Sequence, residues 1–206
     1  MGLYWLLLPA AFLCGAIPFG YLIARVIYRA DIRTLGSGNI GMTNVWRNFG
    51  AGAGIATLIL DAVKGAAPVL AGRWVLHAPF GADTNRIALM LGGLALAAIL
   101  GHTFTPFLHF KGGKGVATAL GAVTALIGVW VLIPAGVFAV VLAAFRYVSL
   151  GSLTAAAALL ACTIAIPSIR AYMWLGIAAA ALVAWTHREN IGRLLTGKER
   201  KIGSKH

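Results

Sequence analysis

The chain is 206 residues long, 60% hydrophobic and only 11% charged, with a mean hydropathy of +0.88 and a formal net charge of +12. That composition cannot cover a water-facing surface, so a soluble globular domain is excluded and an integral membrane protein is implied. At about 20 residues per crossing, the length admits at most about seven or eight spans.

Residues 3–28 form the first apolar run. No basic residue precedes it and no clear cleavage site follows, so it reads as a retained span and not a signal peptide. Residues 36–50 are glycine-rich and polar, and Gly36-x-Gly38-x-x-Gly41 spells the dinucleotide-binding fingerprint, with Asp61 twenty positions past Gly41. The fingerprint requires a strand, a tight turn and a helix within a βαβ unit. Here a long apolar run precedes Gly36, and Asp61 lies inside the next one, residues 55–75, where no ribose could reach it. The nucleotide meaning is excluded, yet exposed backbone N–H groups beside Arg47 still suit an anion.

Within residues 55–75, Asp61 and Lys64 are three apart on one helix face. An ionisable pair inside a span marks a functional site by default, but a self-neutralising packing pair fits equally well. After the third run, residues 87–100, comes a second polar segment, residues 101–115, holding His102 and Lys111-Gly112-Gly113-Lys114-Gly115. The latter lacks the spacing of a nucleotide phosphate loop. Two lysines on a glycine turn that opens a helix nonetheless offer charge, N–H groups and a positive dipole end. The bland reading is attraction to anionic headgroups. A phosphate site is favoured because Arg47, Lys111, Lys114, Arg188 and Arg193 fall on one predicted face.

Residues 116–145 are too long for one comfortable span, and Gly128 with Pro134 offers a turn. Charge decides between one span and a hairpin. As a hairpin, nearly all basic residues from Arg25 to Lys205 share one side, leaving Arg73, Arg86 and Arg170 on the other. As one span it would send the six basic residues from Arg188 to Lys205 outward, against the positive-inside rule. With runs at 150–167 and 172–185, the expectation is an all-α polytopic membrane protein of seven transmembrane helices. Its N-terminus is outside, its C-terminus is cytoplasmic, and residues 1–206 form a single domain. Trp5, Trp74, Trp130 and Trp174 then fall near the outer ends, Trp46 and Trp185 near the inner ones. The third polar segment, residues 186–193, leaves the last span, and a short Arg146-Tyr147-Val148-Ser149 turn joins it on the cytoplasmic side.

The chemistry of these segments is cationic. Five carboxylates, Asp31, Asp61, Asp83, Glu189 and Glu199, make no acid/base pair, and the histidines lack a zinc spacing. Cys14 and Cys162 lie in apolar runs and read as small packing residues. A Ser37–His187–Asp31 triad can be drawn, but no nucleophile elbow supports it. The reaction must need little metal help and no strong general base.

Together the segments resemble the bacterial membrane-bound acyl-phosphate:glycerol-3-phosphate acyltransferase family. The resemblance rests on Gly36-Ser-Gly-Asn-x-Gly-x-Thr-Asn-Val-x-Arg47, on Gly101-His with Phe110-Lys-Gly-Gly-Lys-Gly-Val-Ala-Thr118, and on His187-Arg-Glu-Asn-Ile-x-Arg193-Leu-Leu-x-Gly197. It implies transfer of a fatty acyl group from acyl phosphate to the 1-hydroxyl of glycerol 3-phosphate at the cytoplasmic face of the bacterial inner membrane. It implies catalytic roles for Ser37, Lys114, His187 and Asn190. Substrate or phosphate contacts fall to Gly36, Gly38, Asn39, Thr43, Asn44, Arg47, His102, Lys111, Gly112, Gly113, Ser149, Arg188 and Arg193. No metal or cofactor is expected. The partners are the two substrates and membrane lipid, with the soluble enzyme that makes acyl phosphate a candidate; no nucleic acid is expected. Acyl-thioester-dependent enzymes of this type carry His-x-x-x-x-Asp, which this chain lacks. The competing class is a transporter or channel for an anion or anionic lipid, whose site would sit nearer the midplane.

Overall fold

A computed structural model describes residues 2–80 and 84–203; Asp83, Lys205 and the side chain of Trp5 lie outside the described residues. Among the described residues there is no strand, and ten α-helices follow one another. They are α1 (Gly2–Ala16), α2 (Phe19–Ile27), α3 (Met42–Phe49), α4 (Ala51–Val75), α5 (Asn85–Thr103), α6 (Val116–Ile127), α7 (Leu132–Phe145), α8 (Val148–Ala165), α9 (Met173–Thr186) and α10 (Arg188–Leu195).

Five helical stretches are long and apolar enough to cross a membrane: Ala51–Val75, Asn85–Leu108, Val116–Phe145, Val148–Ala165 and Pro167–Thr186. Leu6–Ala16 with Phe19–Ile27, bent by 40°, makes a sixth. The first expected span is thus two helices. Pro18 has no N–H to continue the ladder, so the helix stops and restarts around it. The run expected at residues 87–100 extends to 19 helical residues in α5, close to the length of a full crossing. Residues 116–145 hold two helices parted by a turn at Gly128–Val131, where Gly128 takes a left-handed φ of +55°.

Two helices appear inside the polar segments, α3 and α10, each of 8 residues. Neither is visible in the sequence as a separate element, because eight residues are barely two turns of the period that reveals a helix.

The chain folds into two compact units, Met1–Leu126 and Ile127–His206. In the first, α4 is patterned inside out: Gly54, Thr57, Asp61, Lys64 and Gly65 are buried while Ile55, Ile59 and Val63 are exposed. That pattern suits lipid, which welcomes apolar side chains and leaves small residues to seat helix on helix. A Cβ on Gly65 would collide with the Thr118 carbonyl, and one on Gly121 with the Ala62 carbonyl, so α4 and α6 meet backbone to backbone. Gly15 and Gly101 bring α1 against α5 in the same way. In the second unit α8 packs between α7 and α9, and α10 lies against α8 and α9. Trp46, Trp74, Trp130 and Trp185 are exposed, as membrane-interface anchors would be.

Candidate functional site

The loop before α3 is built around one side chain. Asn44 is buried, and its Nδ2 donates to the carbonyls of Ile32 (3.3 Å), Leu35 (3.0 Å) and Asn39 (2.9 Å). Its Oδ1 accepts from the Ser37 N–H at 3.0 Å and from Asn48 Nδ2 at 3.1 Å. Asn44, expected to touch substrate, therefore has its amide engaged in shaping the loop. Asn39 Oδ1 accepts from the Gly41 N–H, closing the turn before α3. Gly36 and Gly38 take left-handed φ values of +58° and +70°, and a Cβ at Gly36 would collide with Asn44 Oδ1. Ser37 and Arg47 are left exposed, with Thr43 half-buried.

Asp31 sits one turn earlier and pairs with Arg33 at 2.6 Å, which holds its carboxyl down to about 2. A carboxylate so engaged is a poor partner for a catalytic histidine.

The second segment folds back on α5. Gly112 N–H donates to Thr103 O (3.0 Å) and Gly113 N–H to His102 O (3.1 Å), while a Cβ on Gly113 would collide with His102 Nε2. His102 is buried, facing inward below the loop, whereas Lys111 is exposed and Lys114 half-buried just ahead of α6. Leu108 of this segment joins the core cluster that holds Ile32, Ile40 and Val45, so both segments rest on common packing. Asp61 and Lys64 form the expected ion pair at 2.8 Å, fully buried.

The third segment organises itself within the second unit. His187 is buried at the joint of α9 and α10, its Nδ1 2.8 Å from Val183 O. A carbonyl only accepts, so Nδ1 carries the hydrogen and Nε2 is the acceptor nitrogen of the neutral ring. Ser149 Oγ (2.7 Å) and Asn190 Nδ2 (2.6 Å) both donate to Glu199 Oε1, and Arg193 Nε donates to Oε2 at 2.8 Å. Burial pushes the Glu199 carboxyl up, but the hydrogen bonds from Ser149, Arg193 and Asn190 hold it below its ordinary value. Three predicted site residues thus converge on one anion. Sequence reasoning does not single out Glu199 itself; its only signal there is a lone acid within Lys198-Glu-Arg-Lys201. Arg188 instead lies over the Trp185 ring, 4.9 Å from its centroid, and is exposed.

A family model described as glycerol-3-phosphate acyltransferase matches residues 5–197. This chain belongs to the glycerol-3-phosphate acyltransferase family. A glycerol-3-phosphate acyltransferase of Geotalea daltonii is 46% identical over 193 residues, covering 94% of each chain. One from Desulforamulus reducens is 40% identical over 200 residues, covering 97% of this chain and 96% of the relative. Among solved structures, PlsY (YgiH), described as an integral membrane glycerol 3-phosphate acyltransferase, matches in its glycerol 3-phosphate form with a TM-score of 0.87. It is 39% identical, over 97% of this chain and 96% of that one. Its lysophosphatidic acid form matches with a TM-score of 0.83. The chain is accordingly a membrane-spanning acyltransferase, and the transporter reading is not favoured.

Proposed function

We propose that this acyltransferase uses acyl phosphate as donor and attaches its fatty acyl group to the 1-hydroxyl of sn-glycerol 3-phosphate, releasing phosphate and lysophosphatidic acid. Acyl phosphate is a mixed anhydride whose leaving group departs easily, so positioning and charge stabilisation suffice. That chemistry matches a chain rich in cations and poor in paired acids. The observation that carries the reading is the Lys111–Gly115 turn: glycines fold it tightly onto α5 and leave Lys114 beside the N-terminus of α6, a favourable place for a phosphate.

Ser37, Asn39 and the Gly36–Gly41 backbone hold one phosphate with Lys114, while Asn44 keeps that loop in shape. Arg47 in the first unit has an anchoring role toward glycerol 3-phosphate, as does Arg193 in the second, where His187 and Asn190 orient the hydroxyl and the acyl carbonyl. The hydroxyl proton passes to a substrate phosphate. The three cytoplasmic segments belong to one catalytic domain, in a seven-crossing chain with its N-terminus outside the bacterial inner membrane. Support for that topology is the positive-inside count and the break at Gly128. The acyl tail lies among the lipid-facing helices, and the soluble enzyme that makes acyl phosphate is a natural cytoplasmic partner.

Lysophosphatidic acid formation by purified protein, given synthetic acyl phosphate and glycerol 3-phosphate, tests the donor. Lys114→Ala and His187→Ala are each expected to lower kcat/KM by about 100-fold or more. Near-normal turnover in either removes that residue from the mechanism.

A further inference from the structure

The proposed mechanism leaves one buried cluster unused: Asp61 and Lys64 on α4 with His102 on α5. All three are fully buried, at 1%, 2% and 3% exposure. Apolar side chains would pack such helices at lower cost, so the purpose of the charges lies in what they touch. Lys64 Nζ lies 2.8 Å from Asp61 Oδ1 and donates to Ile17 O at 2.6 Å, in the break between α1 and α2. Asp61 Oδ1 also faces His102 Nδ1 at 3.7 Å, and that ring nitrogen has no hydrogen-bond partner among the described residues. At 3.7 Å the contact is electrostatic and not a direct hydrogen bond. The other edge of the ring, Nε2, occupies the space a Cβ at Gly113 would fill, and the His102 carbonyl accepts the Gly113 N–H.

We propose that Asp61 and Lys64 are positioning residues for acyl transfer, holding the His102 ring in the place that sets the Gly112–Gly113 turn and hence Lys114. The contacts follow in order: the Ile17 carbonyl accepts from the ammonium, the ammonium pairs with the carboxylate, the carboxylate faces the ring at 3.7 Å, and the ring backs the turn. A packing pair would need only to neutralise itself. This arrangement instead directs one carboxylate oxygen at the ring beneath the turn. The inference rests on the assignment of Lys114 to a substrate phosphate.

The test is the double variant Asp61→Asn/Lys64→Met, which removes both charges together and so leaves no unpaired ion. Thermal stability in detergent is measured beside kcat and the KM for each substrate. If the pair positions the turn, the folded variant raises the KM for one phosphate-bearing substrate by about tenfold while kcat changes by less than about threefold. Wild-type KM values for both substrates, in a folded variant, overturn the proposal. Should that variant not fold, the cycle Asp61→Asn, His102→Gln and their combination decides. Asp61 acting through His102 makes the combination no worse than His102→Gln alone, and multiplying effects overturn the proposal. Lys114→Ala is assayed in parallel. Normal kinetics there refute the phosphate assignment itself, whereas an impaired Lys114→Ala beside normal Asp61 variants refutes only the positioning role.

Discussion

Gly112 and Gly113 are irreplaceable for different reasons. A Cβ at Gly112 meets the His102 and Thr103 carbonyls, which cannot move without unravelling the end of α5, while a Cβ at Gly113 meets the His102 ring. Gly113→Ala is expected to reduce kcat/KM by about 10- to 100-fold with the fold intact. Gly192→Ala is the control: nothing lies within 4 Å of its Cβ, and helix propensity adds about 0.5–1 kcal/mol of stability there. Steady-state kinetics and thermal unfolding distinguish the two. Glu199 gives a pH prediction. Its carboxyl titrates below its ordinary value in the folded chain, so its hydrogen bonds stabilise the tail above the ordinary carboxylate range. That contribution is lost as pH falls through the lowered value. Hydrogen exchange across residues 198–203 is therefore expected to be slow at neutral pH and to accelerate under acid, with Glu199→Gln fast at both. The residue types of Ser37, Lys114 and His187, each in a polar segment rich in basic residues, are what lead the sequence to the proposed phosphate site. The inward turn of His102 and the three donors on Glu199 are not legible there, because both depend on how distant segments fold back.

At the level of elements, close helix contact in lipid depends on small residues. Gly65 and Gly121 let α4 and α6 touch through their backbones, so a larger side chain at either must push the helices apart. Gly65→Val is expected to cost about 1–3 kcal/mol and to lower the unfolding temperature in detergent. The same change at Gly136, where a Cβ meets nothing, costs far less. The apolar runs of α4, α5, α8 and α9 can be read directly, since spans of that length need no periodicity to be seen. The break in the first run is harder: Pro18 is visible, but a proline inside a span can kink it without ending it. Whether the helix ends depends on whether other residues receive the freed carbonyls, and those residues lie far along the chain.

For the whole molecule, the open question in the sequence is the 30-residue stretch Val116–Phe145. Hydropathy counts it once; the distribution of arginine and lysine is what favours the proposed hairpin, with Gly128 as the place to turn. A hairpin puts Val129, 72% exposed, outside and Lys111 inside. In a Cys14→Ala/Cys162→Ala background, Val129→Cys is expected to react with a membrane-impermeant maleimide in intact cells. Lys111→Cys should react only after lysis, and equal labelling of both would reject seven crossings.

The broken first span also has a bearing on how the protein is made. Its Ala16 carbonyl is bonded by the Thr105 hydroxyl, 89 residues later, and its Ile17 carbonyl by the Lys64 ammonium, 47 residues later. When this segment first leaves the ribosome neither of those donors has been synthesised: the Phe19 N–H already reaches the Ile17 carbonyl at 3.1 Å, but lipid offers nothing in place of the Thr105 hydroxyl on Ala16. The kink therefore reaches its full set of hydrogen bonds only in the completed bundle, once α4 and the turn after α5 lie beside it.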